Sequence, residues 1–251
     1  MSIFKGQAAV LLAMALLVLS ATKSPARTTV KKHDRGPLTH AELKEAERRL
    51  SEMGYLTGRV DGTIDRDTRI GLITFQKWEG RKITAQLTRS EFDAIRDAQA
   101  PQAKDPGYKH VEVDLDRQVL LLTDNEGAVK MILPVSTGSG KHYKEKRMSG
   151  LAYTPRGRFR IYSKLSGWRR SPLGLLYYPN YFSDGLAIHG NPSVPHSPRS
   201  HGCVRIPMFA ASEISRQLPI GTIVLIYDAQ SFVSAKEWAE QDKQKTVTVI
   251  P

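Results

Sequence analysis

Apolar residues recur at helical spacing in the segment that starts at residue 38. In the first stretch, three or four positions separate Leu43, Ala46, Leu50 and Met53. Thr39 followed by Glu42 fits a capping box at the start of a helix, and Gly54 stands where that helix would end. The pattern therefore predicts an amphipathic helix that begins near residue 40.

Two further helices are predicted downstream. Leu72, Phe75 and Trp78 share one face of a helix over 67–79. A second capping box, from Thr88 to Glu91, opens a short third helix. We expect residues 38–98 to form a small three-helix bundle, which is marginal alone and viable when tethered to a larger domain.

The pattern changes after a polar stretch rich in Pro and Gly at Gln99–Gly107, which we interpret as a linker and domain boundary. Beyond it, short apolar or alternating runs bounded by turn residues predict strands. These runs cover 110–115, 119–123, 129–135, 158–162 and 222–227. Helical spacing returns only around Pro207–Leu218. The prediction is an α+β multidomain protein, with a mostly β second domain over 108–228 and an unassigned C-terminal tail over 229–251.

The N-terminal end predicts export. Lys5 precedes an apolar run over 8–19 that is too short for an ordinary membrane span, and small residues follow it. We interpret 1–26 as a signal peptide with cleavage after Ala21 or Ala26, and 27–37 as a flexible leader. An uncleaved anchor or a buried helix is the alternative. After cleavage no stable membrane span is expected, and the location would be the periplasm or cell wall.

The charge balance fits an exported protein with an anionic partner. The formal net charge is +12, which favours nucleic acid, an acidic membrane face or an anionic cell envelope. Export argues against nucleic acid as the partner. Charge alone does not choose between the other two.

Cys203 is the single cysteine of the chain, so an intramolecular disulfide is impossible. A catalytic thiol needs a neighbouring base, because most of it is protonated at neutral pH. His189, fourteen residues upstream, and His201, two residues upstream, are the candidate bases. A metal site built from these residues and His196 is the other reading, but scattered histidines with one cysteine are poor support for zinc. We expect neither a metal nor another cofactor.

The segments around this cysteine resemble the catalytic domain of the L,D-transpeptidases (the YkuD-like family). The motif residues are His189-Gly190 followed, after a proline-rich loop, by Ser200-His201-Gly202-Cys203-Val204-Arg205. The earlier segments Pro134–Gly138 and Thr154–Phe159 match two other stretches that these domains usually carry. The resemblance runs through the whole of the second domain.

The helical segment resembles a second family, the peptidoglycan-binding domain found on many bacterial wall enzymes. The matching positions are Leu50, Met53-Gly54-Tyr55, Gly58, Asp61-Gly62, Thr68 and Phe75-Gln76. The resemblance covers roughly residues 38–98. It implies a module that targets the chain to peptidoglycan, with a bundle that binds no ligand as the alternative.

These resemblances imply roles for the motif residues. Cys203 would be the nucleophile, His189 its general base, and the Gly202 and Cys203 N–H groups the oxyanion donors. Supporting or substrate-contacting roles would fall to Gly190, Ser200, His201 and Arg205.

The implied reaction is a transpeptidation on stem tetrapeptides through a Cys203 thioester, forming 3–3 cross-links, and carbapenems are the expected inhibitors. Resolution of the thioester by water would give an L,D-carboxypeptidase, and resolution by a protein amine a protein-anchoring transferase. A non-enzymatic wall-binding protein is the alternative from another class.

Overall fold

A computed structural model describes residues 36–145, 148–232, 234, 236, 237 and 240. The predicted signal peptide, most of the leader and most of the C-terminal tail lie outside these residues. No helix in the described part of the chain is long and apolar enough to cross a membrane.

Three helices form the N-terminal bundle as predicted, each capped by a side chain. The helices are α1 (His40–Glu52), α2 (Arg66–Trp78) and α3 (Arg89–Asp97). Thr39 and Glu42 form the predicted capping box of α1, and Thr88 caps α3. Asp65 accepts hydrogen bonds from two backbone N–H groups of the first turn of α2. These bonds satisfy N–H groups that have no partner within their helix.

A buried carboxylate fixes the connection between α1 and α2. Glu47 is fully buried and accepts hydrogen bonds from the N–H groups of Asp61 (3.0 Å) and Gly62 (2.7 Å) and from the hydroxyl of Thr68 (2.8 Å). Gly62 has φ +84°, a backbone conformation that glycine adopts without strain. The Asp-Gly turn is therefore held by the bundle's own interior.

Strands dominate the rest of the described chain. They are β1 (His110–Asp114), β2 (Val119–Thr123), β3 (Val129–Pro134), β4 (His142–Glu145), β5 (Met148–Leu151), β6 (Gly157–Arg160), β7 (Ser163–Lys164), β8 (Trp168–Ser171), β9 (Gly174–Ser183), β10 (Leu186–Asn191), β11 (Val204–Pro207) and β12 (Ile223–Tyr227). A fourth helix, α4 (Met208–Gln217), follows β11 and confirms the helical spacing seen there.

The strands form two larger sheets and one hairpin. The first sheet has the order β3-β2-β1-β12-β6, with β1 parallel to β12. The second has the order β11-β10-β9-β7, with β8 also paired to β9, and β10 is parallel to β11. Strands β4 and β5 form the separate hairpin. The overall class is the predicted one, a helical region followed by a mostly β domain.

One core joins the two larger sheets and α4. Val111, Val113 and Leu120 from the first sheet share a buried cluster with Ile188 and Val204 from the second. Ala211 of α4 belongs to the same cluster, and a Cβ placed on Gly190 would lie 2.6 Å from its Cβ. Close packing of α4 on β10 therefore requires glycine at position 190.

The opposite face of the first sheet is covered by the bundle. Val119, Leu121 and Ile132 belong to the same buried cluster as Leu50 and Phe75 of the helices. The bundle and the β domain thus share a hydrophobic core, which explains how three short helices remain folded.

A buried lysine strengthens this junction. The Lys77 ammonium on α2 donates hydrogen bonds to the carbonyls of Gln118 and Val135, each at 3.1 Å. Burial lowers the pKa of Lys77 to about 8. Because these two bonds tie a helix to the β domain, α2 is fixed relative to the chain that follows β3.

The stretch predicted as a linker is also tied to the β domain. The N–H groups of Lys104 and Asp105 donate to the carboxylate of Glu112, at 3.0 and 2.9 Å. Glu112 is fully buried on β1, and it also accepts a hydrogen bond from the Tyr227 hydroxyl (3.0 Å). This connector is therefore part of the folded unit.

Candidate active site

The parallel pair of β10 and β11 places the motif residues on one face of the second sheet. In register, Ile188 pairs with Val204 and His189 with Arg205. Ile188 and Val204 face the core. Since side chains alternate along strands, His189, Arg205 and Cys203 lie on the opposite face.

The register also relates the thiol to the imidazole. Cys203 directly precedes β11 and is diagonal to His189 across the strand pair. With strands about 4.8 Å apart and a rise of about 3.3 Å per residue, such a diagonal separates Cα atoms by about 8 Å. Both side chains line the same cavity. The sequence prediction that the proline-rich loop returns Cys203 to His189 agrees with this arrangement.

The environment of His189 suits a neutral base. Its Nδ1 lies 2.9 Å from the carbonyl oxygen of Gly190, so Nδ1–H donates and the Nε2 lone pair stays available. Burial lowers the pKa of His189 to about 4. The hydrogen bond to Gly190 acts in the opposite direction, and the positive charge of Arg205 lowers the pKa further. The imidazole is therefore uncharged at neutral pH.

Cys203 is half-buried, and burial raises the pKa of its thiol. A backbone hydrogen bond from Ala187 and the charge of Arg205 act in the opposite direction. Together with the low pKa of His189, this describes a resting pair of neutral thiol and neutral imidazole. The arrangement favours proton transfer during attack over a preformed ion pair.

One hydroxyl closes the turn that carries the thiol. The Ser200 Oγ donates to the carbonyl of Cys203 at 2.6 Å and accepts from the Gly202 N–H at 3.0 Å. Gly202 has φ +138°, and a Cβ there would lie 2.7 Å from the carbonyl oxygen of Tyr153. Position 202 therefore requires glycine for both its conformation and its packing.

A threonine that supports this turn was not assigned a role from the sequence. The Thr154 Oγ1 donates to the carbonyl of Gly202 at 2.7 Å and accepts from the Gly138 N–H at 2.8 Å. It lies in one of the two earlier motif segments, and Gly138 lies in the other. The match of these two segments to the family is the signal in the sequence that could have pointed to this residue.

Ser136 also supports the region around the Cys203 turn. Its backbone N–H and carbonyl both bond to Arg205, each at 3.1 Å. Its Oγ donates to the carbonyl of Ser197 at 2.8 Å and accepts from the Arg199 N–H at 3.1 Å. The segment after β3 thus holds both β11 and the proline-rich loop in place.

His201 points to a different partner. Its Nε2 lies 3.0 Å from the Glu145 Oε1 on the β4–β5 hairpin, and its ring contacts Tyr143 edge-on with the centroids 4.6 Å apart. Neither hairpin residue was singled out from the sequence. Because its Nε2 is engaged by a carboxylate, His201 is less suited than His189 to act as the base.

The cavity around these residues has a volume of about 370 Å³. The second sheet, the β4–β5 hairpin and the β8–β9 hairpin enclose it. Its lining includes Tyr143, Met148, Leu176, Tyr181, His189, Asn191, Ser200, His201, Cys203 and Arg205. The guanidinium of Arg205 has no hydrogen-bond or ion-pair partner among the described residues, so a cation faces the cavity.

Within the described ranges, no group of three or more His, Cys, Asp or Glu side chains could hold a metal ion. His196, one of the residues weighed for a metal, lies on the exposed loop between β10 and β11. Two aromatic residues shortly before His189 have different surroundings: Phe182 is buried in the core, and Tyr181 lines the cavity.

Comparison with known proteins matches two regions of the chain to two family models. The model of the YkuD L,D-transpeptidase catalytic domain matches residues 108–226, and that of a putative peptidoglycan-binding domain matches residues 39–95. No curated protein gave a significant match.

Solved structures that match this chain include an L,D-transpeptidase from Xylanimonas cellulosilytica, which is 35% identical with a TM-score of 0.70 over 74% of this chain and 93% of that one. One from Stackebrandtia nassauensis is 24% identical with a TM-score of 0.44, over 78% and 94% of the two chains. L,D-transpeptidase 3 of Mycobacterium tuberculosis, with a faropenem-derived adduct, is 16% identical with a TM-score of 0.38, over 48% and 60%.

The chain belongs to the L,D-transpeptidase family. It joins the catalytic domain of that family to an N-terminal peptidoglycan-binding domain. Both domains relate to peptidoglycan, so the function of the chain lies in the cell wall or periplasm.

Proposed function

We propose that this chain is a cysteine-dependent L,D-transpeptidase that forms 3–3 cross-links between peptidoglycan stem peptides. The main support for this proposal is that Cys203 and His189 lie on one face of the β10–β11 pair and line the same cavity. The signal peptide predicted over 1–26 would deliver the enzyme to its substrate, and the bundle over 38–98 would hold it there.

The first half-reaction forms a thioester. His189 Nε2 accepts the thiol proton while Sγ attacks the carbonyl that joins the L-centre of the diamino acid to the terminal D-Ala. The C–N bond then breaks, and the imidazolium returns the proton to the departing D-Ala amine. The Gly190 carbonyl holds the tautomer and stabilises the transient imidazolium.

The second half-reaction resolves the thioester. The side-chain amine of a second stem peptide attacks the carbonyl, His189 takes a proton from that amine, and the C–S bond breaks as an amide forms. The proton then returns to Cys203. No metal or other cofactor is needed to balance either step.

Backbone N–H groups of the turn would stabilise the oxyanion. The Cys203 and His201 N–H groups have no acceptor among the described residues, whereas the Gly202 N–H donates to Ser200 Oγ. Gly202 would have to exchange that partner to serve as a donor. We therefore assign the oxyanion to the Cys203 N–H first, with His201 beside it.

Arg205 would bind a carboxylate of the stem peptide. It lines the cavity, it is half-buried, and its guanidinium has no partner among the described residues. A partly desolvated guanidinium is well suited to a carboxylate because it forms two parallel hydrogen bonds. Ser200 and Gly190 would act on the reaction through the turn and the imidazole.

Incubation of the purified protein with tetrapeptide muropeptides tests the function. We expect loss of D-Ala, a thioester adduct on Cys203 by intact-protein mass, and a 3–3 linked dimer. Products carrying only hydrolysed tripeptide would indicate an L,D-carboxypeptidase instead. A protein that binds wall material but forms no adduct would be the non-enzymatic alternative.

Wall binding by the bundle needs a separate test in the whole protein, because the bundle shares its core with the β domain. We propose that the full chain is retained by insoluble peptidoglycan through residues 38–98. Charge reversal at exposed bundle arginines should reduce retention, while Arg170→Glu on β8 should not. An equal loss of retention in both variants would show that net charge, rather than the bundle, is responsible for binding to peptidoglycan.

A further inference from the structure

A second cavity lies beside the first, between the bundle and the proline-rich loop. Its volume is about 160 Å³. Helix α2 forms one wall, and the chain from the end of β10 through the loop forms the other. The lining includes Arg66, Ile70, Ile73, Asn191, Val194 and His196.

Asn191 connects the two cavities, because it lines both. It follows His189 by two residues on β10, so the two side chains leave the strand on the same face. Along this face the order is Cys203, His189 and Asn191. The groove therefore lies on the far side of the base from the nucleophile.

That order has a chemical meaning. A general base between nucleophile and leaving group protonates the departing amine, and the incoming amine must approach from the same side. The groove beyond His189 is thus the position from which an acceptor would reach the thioester. The donor occupies the cavity around Cys203.

We propose that the groove between α2 and the 191–196 loop is the acceptor site, which binds the second peptidoglycan stem peptide. This inference rests on the proposed transpeptidase function. The wall-binding bundle then supplies part of the active site in addition to any role as a tether.

The groove has the chemistry that a stem peptide requires. Ile70, Ile73 and Val194 line the groove and offer apolar contacts for small side chains such as those of alanine. The exposed Arg66 guanidinium has no ion-pair partner among the described residues, so it is available for a peptide carboxylate. A short anionic peptide therefore suits both the apolar lining and the exposed arginine.

The junction keeps the groove preformed. Lys77 holds α2 to the carbonyls of Val135 and Gln118, and Pro134 beside them lines the groove. Ser136, which follows Val135, holds the loop by a hydrogen bond from its hydroxyl to the Ser197 carbonyl. Both walls are thus fixed by neighbouring residues of one segment.

Arg66→Glu in the full chain tests the proposal, with Arg69→Glu as the matched control. Both arginines lie on α2, but Arg69 donates to the Ala85 carbonyl and does not line the groove. Arg66 opens the helix, where an acidic residue is favourable, so the fold should be retained.

The two half-reactions are measured separately with defined tetrapeptide muropeptides. We expect Arg66→Glu to leave the rate of Cys203 acylation unchanged and to raise the KM for the acceptor by about 5–10-fold, with more thioester lost to water. Arg69→Glu should match the wild type in both.

Equal acceptor KM values in the wild type and Arg66→Glu, or equal increases in both variants, would overturn the site. If the wild-type protein forms no adduct with any tetrapeptide, the transpeptidase proposal itself fails. Adduct formation by the wild type is therefore measured before the variants are compared. If the thioester forms but is resolved only by water, the acceptor-site proposal is contradicted, while the proposed thioester chemistry stands.

Discussion

The two larger sheets of the β domain use their faces differently. In the first sheet every residue of β1 and β2 is buried, because one face packs on the second sheet and the other is covered by the bundle and the connector. In the second sheet only one face is packed. The other presents His189, Cys203 and Arg205 to a cavity.

The first sheet therefore supports the structure, and the second sheet carries the candidate active site. A sheet covered on both faces contributes hydrophobic free energy and a rigid position for its neighbours. A sheet with one open face can hold polar side chains at fixed spacing, at the cost of less burial. Substitutions in the two sheets should therefore affect different measurements.

The largest effect is expected from Cys203→Ala. Turnover and thioester formation should be lost, because no other nucleophile lies at this point of the turn, while the far-UV and near-UV circular dichroism and the Tm stay close to wild type. Cross-linking by a folded Cys203→Ala protein would contradict the assignment.

The next largest effect is expected from His189→Ala. Acylation should slow by about 10²–10⁴-fold, which is typical for loss of a general base. The rate of Cys203 acylation by a carbapenem, followed by intact-protein mass, measures it. An unchanged rate would mean that another group removes the proton.

The pH profile sharpens the role of His189. In the proposed mechanism the neutral imidazole is the active form. Because its pKa is lowered to about 4, the acylation rate should fall only as pH drops through about 4. An acid limb near 6.5 would point to an unburied base. The same depressed pKa makes the contribution of His189 to stability complete above pH 6.5 and lost as pH falls through about 4.

In the first sheet, Leu121→Ala should act on stability alone. The side chain is fully buried between β2 and the bundle, so its truncation should lower the free energy of unfolding by about 2–5 kcal/mol. Below the melting transition the acylation rate should match wild type. Denaturant unfolding and acylation of the same sample distinguish the two outcomes, and slower acylation in the folded state would show that the sheets are coupled.

The smallest effect is expected from His201→Lys. A lysine can keep an ionic contact with Glu145, and a single partly exposed contact of this kind is worth about 1 kcal/mol, so acylation should change by no more than about fivefold. Comparison with His189→Ala in the same assay tests which histidine is the base. A larger loss in the His201 variant would reverse the two roles.

Local patterns in the sequence were sufficient for the elements that a single segment determines. Capping boxes and helical spacing predicted α1 and α3, and continuous apolar runs predicted β2 and β12. Strand β9 was missed because Tyr178, with φ +48°, and Pro179 interrupt its alternation, and it is held by pairing with β7, β8 and β10.

The candidate site was predictable only in part for a related reason. Cys203 and His189 stood out by residue type and by family resemblance, although their roles stay predictions. Thr154 and Glu145 did not, because a threonine and a glutamate are unremarkable until the fold brings them to Gly202 and His201. Contacts between distant segments produce no regular spacing of residue types that could be recognised in the sequence.

The supports of the Cys203 turn have a consequence for folding kinetics. The bond from Thr154 to Gly202 spans 48 positions, and that from Ser136 to Ser197 spans 61. Contacts with such separation form late, since chain closure costs entropy before they repay it. Until they form, Cys203 would lack the base and the oxyanion donors proposed for it. Under the proposed function, acyl transfer would therefore begin only in the last stages of folding, and a partly unfolded chain in the envelope would be inert toward the wall.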